Sequence, residues 1–461
     1  MQQHAMRIPS SVWMLGPLPP VPGAVAEYVD HMAEILHTRA GLDVHVVTHA
    51  PTRSRHRSYS VHSCQEFICR FAQHRDDTVF VYHLANDRTF DFVYAFLLTY
   101  PGLVIFHDTV VGPSRLHHLL EWAVRTGNVE TLRDVFPDPV APVWKELLRE
   151  QYVRISELGR VLRLTRPFLQ MAWAAIVHSP EDAVALRDCL PDAGIHVIPP
   201  GIGPSFMPPG LSSAERAALR RRFGIPEGHT LLGIFATRIT PPEMDPVLQS
   251  LRDLHQRGRS VTALVVTRTP ADEPLYRQIL QYGLHARVRV VAPAGSSEYR
   301  ACMAFADIAY VCTRWSPGDA LLDVLTLMSA ARPVIVQYRR PFAHWPNGIC
   351  ARVSLREGIA GMVRQIEVWT QSPTVREAVG CRAQQYVRHR HSPDRMVQNF
   401  QTVFRLVPVY RRLWRDPRKH WTGFGQPLLA RLWRDWQRRV PASIARRLVD
   451  RVHPLLPEFN V

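Results

Sequence analysis

The sequence predicts an α/β protein with two doubly wound parallel sheets, one in each half of the chain. Three observations support this. Short apolar runs rich in β-branched residues recur, and each is followed by a loop and a helical pattern. The alternation restarts after a segment dense in proline and glycine, 198–210, which is typical of a domain linker. The length of 461 residues also exceeds that of most single domains.

In the first half, the loop 16–22 separates the first strand from a helix predicted over Gly23–Thr38, and a longer helix is predicted over Val140–Leu164. The strands predicted here are Val12–Leu15, Asp43–Thr48, Thr78–Leu84, Leu103–Phe106, Ala174–His178 and His196–Ile198.

In the second half, helices are predicted between the strands, and the segment 371–410 is predicted to be helical. The strands predicted here are Leu231–Phe235, Val261–Val266, Arg287–Val291, Ile308–Cys312 and Pro333–Val336. We therefore expect a first domain over 1–199, a second over 200–390, and a closing helix with a C-terminal extension over 391–461.

Composition excludes several classes of protein. Of the residues 46% are apolar, as in globular proteins, and no run approaches the ~18–20 apolar residues of a membrane-spanning helix. The N-terminus lacks the apolar core of a signal peptide, so we expect a cytoplasmic protein. Seven scattered cysteines without a CxxC pair do not favour a disulfide framework or a zinc site, and we expect no metal and no cofactor.

The positive charge is concentrated at the C-terminus. The net charge is +16, and residues 411–461 hold 12 Arg and Lys against 4 Asp and Glu. Within 428–440 the residues Leu428, Leu432 and Trp436 follow helical spacing, with arginines mostly on the other side. Such a helix either anchors the chain at the anionic inner face of a membrane or packs its apolar stripe on the first domain. The remaining excess is spread over 410 residues and does not predict nucleic-acid binding.

The loop before the first predicted helix is one candidate ligand site. Gly23 would let a ligand approach the backbone closely, and the free N–H groups of a helix N-terminus favour phosphate or a cluster of hydroxyls. The alternative is an ordinary turn between a strand and a helix.

Polar residues at strand ends form a second candidate site. His107 and Asp108 follow one predicted strand, and His83 and His178 lie at the ends of two others. Ligand-contacting residues gather at the carboxyl ends of parallel strands, where a histidine can position or deprotonate a hydroxyl. The alternatives are structural histidines or a metal site, the latter disfavoured because no carboxylate lies at ligand spacing.

Asp319 is a third candidate. It opens the helix predicted after the strand Ile308–Cys312, where it could act as an N-cap. Alternatively, its carboxylate accepts hydrogen bonds from ribose or sugar hydroxyls.

Several segments resemble family-4 retaining glycosyltransferases. GPLPPVPGAVAEY (16–28) is similar to their GPLPPxxSGIADY opening, and 81–108 resembles a segment that ends in PGVVVLHD. AAIVHSPEDA, ITPP, RPVIV and the ending REAVGCRAQQYVRHRHSPDRMVQNF resemble further motifs of that family, in the same order, over residues 11 to about 405.

The resemblance implies a GT-B fold, in which two Rossmann-like domains face each other across a cleft. It implies transfer of a sugar from a nucleotide-diphosphate sugar to an acceptor hydroxyl, with retention of configuration and without a metal. The acceptor is an unidentified glycan, lipid or small molecule. The residues it assigns are catalytic His107, Asp108 and Asp319; donor-binding Arg238, Arg268, Gly318 and Asp323; and, in the acceptor or phosphate loop, Gly23, Glu27, Tyr28 and His83.

The sequence departs from the family pattern at the donor site. The family's E-x7-E pair falls on Gly318 and Thr326, and its basic pair after ITP falls on Glu243 and Met244. Asp319 could replace the first carboxylate, Arg238 or Arg268 could replace the basic pair, and Glu243 would repel a diphosphate. Two interpretations follow: an active glycosyltransferase with a divergent donor site, or a catalytically silent GT-B protein that binds a glycan or a partner.

Overall fold

The structure is a computed structural model, and it describes residues 8–49, 57–70, 78–109, 165–312, 317–337, 341–354 and 356–414. These residues divide into two units, each built around its own parallel sheet. The first unit contains the described residues within 1–21, 32–198 and 397–461, and the second contains those within 22–31 and 199–396.

The sheet of the first unit has seven strands: β1 (Ser11–Leu15), β2 (Asp43–Thr48), β3 (Ser60–Ser63), β4 (Thr78–Leu84), β5 (Leu103–Phe106), β6 (Ala174–Val177) and β7 (Ile195–Val197). Their order is β3-β2-β1-β4-β5-β6-β7, and every pair is parallel. The helices in this half are α1 (Ala24–Ala40), α2 (Cys64–Arg70), α3 (Asp91–Thr99), α4 (Arg166–Met171) and α5 (Pro180–Cys189). The first residues of α1, 24–31, belong to the second unit.

The sheet of the second unit has six strands: β8 (Thr230–Ala236), β9 (Val261–Thr267), β10 (Val288–Val291), β11 (Ile308–Val311), β12 (Val334–Gln337) and β13 (Ala351–Val353). Their order is β10-β9-β8-β11-β12-β13, again all parallel. The helices are α6 (Ser213–Arg222), α7 (Pro241–Gln256), α8 (Glu273–Gln281), α9 (Ser296–Phe305), α10 (Pro317–Ser329), α11 (Gly358–Gln371), α12 (Pro373–Arg390) and α13 (Pro393–Leu413), the last of which continues into the first unit.

The central strands are buried on both faces, which explains their continuous apolar runs. Every residue of β4, β5, β8 and β9 is buried. Parallel sheets covered by helices on both sides produce this pattern. The order of strands reverses between β1 and β4 in the first sheet and between β8 and β11 in the second. Ligands of doubly wound sheets bind beside such reversals, at the carboxyl ends of the strands.

The predicted fold class is confirmed, and most predicted strands are present within a residue or two of their expected bounds. The sequence did not predict β3, α2 or β13, which are short. The helix predicted over 140–164 and the amphipathic helix in 428–440 lie outside the described residues and stay predictions. None of the helices in the described ranges is long and apolar enough to cross a membrane.

The segment expected to be a linker, 198–210, is packed against the second unit over 200–203 and at Phe206. The N–H of Gly203 donates to Nε2 of His31 at 2.9 Å, and the N–H of Gly201 donates to the sulfur of Met396 at 3.3 Å. Phe206 is buried as well. These contacts attach the segment to the second unit.

Helix α10 ends in a left-handed residue that is not glycine. The N–H of Ala331 donates to Met328 at 3.0 Å, and the N–H of Arg332 donates to Leu327 at 3.0 Å, which is the hydrogen-bond pattern of a Schellman motif. Ala331 has φ of 55°, where an L-residue with a Cβ is strained. The RPVIV resemblance aligns this residue with a glycine.

We expect Ala331→Gly to stabilise the second unit by up to ~1 kcal/mol, because glycine adopts the left-handed conformation without strain. Ala330→Gly, one residue earlier and outside the left-handed region, is the control and should destabilise it slightly. Urea unfolding measures both variants, and a loss of stability in Ala331→Gly would contradict the strain argument.

Candidate functional site

Three buried histidines form a continuous hydrogen-bonded chain along the first sheet. His83 is the second-to-last residue of β4, His107 directly follows β5 and His178 directly follows β6. Because these strands are neighbours in the sheet, the three histidines lie close together. Nδ1 of His83 is 2.9 Å from Nε2 of His107, and Nδ1 of His107 is 3.1 Å from Nε2 of His178. The expected clustering of histidines at the strand ends is therefore present.

The direction of this chain follows from its last member. Nδ1 of His178 lies 3.0 Å from the carbonyl oxygen of Ile198, which can only accept, so this nitrogen carries the proton. In neutral rings, Nδ1 of His107 then donates to His178, and Nδ1 of His83 donates to His107. Nε2 of His83 remains as an acceptor, and it is buried without a hydrogen-bond partner among the described residues.

Burial keeps all three rings neutral. It lowers the pKa of His83 to about 3 and that of His178 to about 4. It also lowers the pKa of His107 well below its usual value, and the two neighbouring histidines lower it further. The last nitrogen of this neutral chain, Nε2 of His83, can only accept a hydrogen bond. It therefore binds a hydroxyl, which can donate, better than a phosphate, which accepts.

Asp108 directly follows His107 at the end of β5. It is buried, and its carboxylate accepts the N–H of Asn86 at 2.9 Å. This contact joins the end of β5 to the loop after β4.

In the second unit, Asp319 lies at the reversal of strand order. Its Oδ2 accepts the hydroxyl of Thr237, which follows β8, at 2.7 Å. Its Oδ1 accepts the N–H of Val25, at the start of α1, at 2.9 Å. Helix α10 begins at Pro317, so the expectation that Asp319 is the N-cap of its own helix is wrong. Its carboxylate instead caps α1, 294 residues away in the sequence.

Arg268 follows β9 and is almost completely buried between two carboxylates. Its terminal nitrogens donate to Oε1 of Glu27 and, at 2.9 Å, to Oδ1 of Asp323. The guanidinium carbon lies 4.0 Å from the ring centroid of Tyr299. Burial lowers the pKa of Arg268, but Asp323 and the other acidic groups around it outweigh that effect and raise it. Arg268 is therefore a paired, permanently charged residue.

Both carboxylates have further partners. Oε2 of Glu27 accepts from Arg300 at 3.0 Å, and Oε1 accepts the hydroxyl of Ser296 at 2.6 Å. Asp323 accepts the hydroxyl of Tyr299 at 2.8 Å. Burial raises the pKa of Asp323 to about 6, although Arg268 lowers it. We call this set the Arg268 network; its members are Glu27, Arg268, Ser296, Tyr299, Arg300 and Asp323.

The other residues of the second unit that the sequence analysis singled out have different environments. Arg238 is exposed and forms no hydrogen bond or ion pair with any described residue. Gly318 is buried beside Asp319. Gly23 has φ of 137°, and a Cβ there would lie 3.7 Å from both carboxylate oxygens of Asp319. Glu243 is buried in the capping box of α7, where its carboxylate accepts from the N–H and the hydroxyl of Thr240.

Tyr28 is buried, and its hydroxyl donates to the sulfur of Met396 at 3.3 Å. Burial raises its pKa. This contact is internal to the second unit.

Sequence reasoning missed Arg300, Ser296, Tyr299 and Thr237. The first three lie on α9 (Ser296–Phe305). This segment matches no motif, so its sequence indicates a helix but does not mark these residues as part of a site. Among the described residues, no group of three or more His, Cys, Asp or Glu is placed to hold a metal ion.

Comparison with known proteins shows the fold. The structure is similar to that of HepE of Anabaena in complex with UDP and glucose, with a TM-score of 0.58 and 15% identity over 86% of this chain and 99% of that chain. It is similar to WaaG, a glycosyltransferase of lipopolysaccharide biosynthesis (TM-score 0.56, 14% identity, 84% and 98% covered). It is also similar to sucrose-phosphate synthase of Thermosynechococcus elongatus (TM-score 0.58, 13% identity, 87% and 99% covered). No protein-family model and no curated protein matches the sequence. These likenesses confirm the predicted fold, that of GT-B glycosyltransferases.

We expect acid to destabilise the first unit through the histidine chain. Each folded pKa lies below the ordinary value of about 6.5, so the unfolded chain binds more protons as the pH falls from about 6.5 to 4. Each histidine then removes up to ~1.4 kcal/mol of stability per pH unit in this window.

Urea unfolding at pH 7, 6 and 5 measures this effect. His83→Gln, which can still donate to His107 but cannot be protonated, should have a shallower pH dependence than the wild type. The control is His49→Gln in the same unit, at an exposed position. Parallel pH profiles for wild type and His83→Gln would contradict the argument.

Arg268→Gln should lower the free energy of unfolding by ~3–5 kcal/mol, because it leaves two buried carboxylates without their cation. Arg238→Gln, which removes an exposed arginine after the neighbouring strand, should change it by less than ~0.5 kcal/mol. Denaturant unfolding distinguishes the two, and equal stabilities would show that the Arg268 network does not stabilise the fold.

Proposed function

We propose that the protein is a glycosyltransferase that takes a nucleotide-diphosphate sugar as donor and transfers its sugar to an acceptor hydroxyl. The observation that carries the proposal is the meeting of Thr237, Asp319 and the start of α1 at the strand reversal of the second sheet. Ligands of doubly wound sheets bind at this place. The structurally similar HepE was crystallised with UDP-glucose, which supports a sugar nucleotide as ligand.

The donor diphosphate needs positive charge that is free to pair with it. Arg238, at the end of β8, is exposed and pairs with no described residue, whereas Arg268 already holds two carboxylates. We therefore assign the diphosphate contact to Arg238, with the N–H groups at the start of α1 as further donors. Positive groups placed there stabilise the departing diphosphate.

The sugar acceptor is assigned to the first unit, at the strand ends that carry the histidine chain. Nε2 of His83 can accept a hydrogen bond there, and a hydroxyl that uses it must enter a buried position. Both ring nitrogens of His107 are engaged by its two neighbours, so His107 acts on a ligand through His83. Asp108 holds the adjacent loop through Asn86. Retention of configuration without a metal belongs to the proposal and rests on the family resemblance.

A second candidate function is a catalytically silent GT-B protein that binds a glycan or a partner. The observation that favours it is the charge pairing in the second unit. Three carboxylates, of Glu27, Asp319 and Asp323, lie around the guanidiniums of Arg268 and Arg300. A diphosphate meets net negative charge there.

A panel of nucleotide-diphosphate sugars, screened by thermal shift and then assayed for donor hydrolysis, tests the proposal. Arg238→Gln should weaken binding of the stabilising donor about tenfold, the effect of one charged hydrogen bond. Arg221→Gln, an exposed arginine on α6, is the control and should bind as the wild type does.

The outcomes separate the two candidates. Binding with hydrolysis supports the transferase, and binding without hydrolysis supports the silent protein. If no nucleotide sugar shifts the melting temperature, the proposed donor site is wrong.

A further inference from the structure

The N-terminus of α1 is closed by a carboxylate of the chain itself. Oδ1 of Asp319 accepts the N–H of Val25 at 2.9 Å, and the hydroxyl of Thr237 holds the other oxygen at 2.7 Å. Helix α1 has 17 residues, so its N-terminus carries a full helix dipole. An anionic ligand would bind the N–H groups of the first turn, and Asp319 already accepts that of Val25.

The guanidiniums of Arg268 and Arg300 are likewise engaged by a carboxylate of the chain. Glu27 accepts from both Arg268 and Arg300, and also from Ser296. Two cations and a hydroxyl that could bind a diphosphate beside Arg238 are therefore engaged by one carboxylate.

One hydrogen-bond donor of the Arg268 network is not engaged by these carboxylates. Nε of Arg268 is buried and has no hydrogen-bond partner among the described residues, while the side chain is only 8% exposed. Buried polar groups of folded proteins are nearly always satisfied, by protein, water or ligand. The carboxylates therefore occupy the Arg268 network without satisfying all of its donors, as a substitute for a larger anion would.

We infer that Asp319 and Glu27 are internal competitors of the donor: they occupy the anion-binding groups of the second unit, and a diphosphate binds by displacing them. This inference rests on the proposed function and adds its regulation. The donor site is closed by the chain's own carboxylates rather than lost, which reconciles the paired arginines with a sugar-nucleotide ligand.

The inference reverses the sign of the expected mutational effects. If Asp319 and Glu27 contact the donor, neutralising them weakens binding. If they compete with it, neutralising them strengthens binding, because the anion no longer has to displace a charged group.

The test uses inorganic pyrophosphate as the probe, titrated calorimetrically into the full-length wild type, Asp319→Asn and Glu27→Gln. Asparagine keeps an oxygen that can accept from Val25, so Asp319→Asn removes the charge with little loss of the cap. Thr237→Val is a third variant, because it releases one oxygen of Asp319 and leaves every charge in place. Glu273→Gln, which neutralises an exposed carboxylate of the same unit paired with Arg277, controls for the change in net charge.

We expect Asp319→Asn and Glu27→Gln to bind pyrophosphate about tenfold more tightly than the wild type, which corresponds to relief from one charged hydrogen bond. Thr237→Val should bind more tightly by a smaller factor, and Glu273→Gln should match the wild type. Thermal melts of each variant confirm that it is folded.

Unchanged or weaker pyrophosphate binding in folded Asp319→Asn and Glu27→Gln overturns the inference, as does tighter binding that Glu273→Gln reproduces. The proposed function is judged separately, on the nucleotide-sugar panel with the same proteins. Tighter pyrophosphate binding without any nucleotide-sugar binding supports the closed anion site and rejects the transferase. If the wild type binds a nucleotide sugar and Asp319→Asn weakens that binding, the transferase is supported and the closed anion site is rejected.

Discussion

One buried guanidinium determines how the second unit is arranged at the carboxyl end of β9. Arg268 pairs with carboxylates that lie 241 and 55 residues away in the sequence, on α1 and α10. A buried cation is costly unless it is paired and hydrogen-bonded, so its burial requires Glu27 and Asp323 beside it. Because Glu27 also accepts from Ser296, the start of α9 is fixed at the same point. Four separate segments therefore meet around one charge.

The two units have related strand orders, but they bury polar side chains at their strand ends in different ways. In the second unit, charged groups are buried as pairs. In the first, three imidazoles are buried without charge, and a single carbonyl oxygen, that of Ile198, sets the direction of every hydrogen bond in the chain. A charged pair can exchange one partner for another ion, whereas a neutral ring offers a hydrogen-bond acceptor without attracting ions. This difference agrees with the proposed assignment of the donor to the second unit and of the acceptor to the first.

The sequence predicted the parts of the structure that depend on local pattern. Strands β4, β5, β8 and β9 are buried throughout because both faces of the sheets are covered. The predicted ends of β4, β5 and β6 located the three histidines correctly. It could not predict that Asp319 caps α1, because that contact joins residues 294 positions apart. It could not predict the pairing of Arg268 or the role of Arg300 for the same reason. Short elements such as β13 carry too few residues for a pattern.

A site for a strongly charged ligand faces a conflict whenever the ligand is absent. Its cations must be dry and close together to bind a diphosphate well, yet dry unpaired cations destabilise the fold. Carboxylates that occupy the cations in the empty state resolve the conflict, and Glu27 has the necessary geometry, with both of its oxygens engaged by guanidiniums. The consequence is a lower affinity, because part of the binding free energy is used to displace the carboxylates. Closure of this kind favours stability of the empty protein over tight binding of the proposed donor.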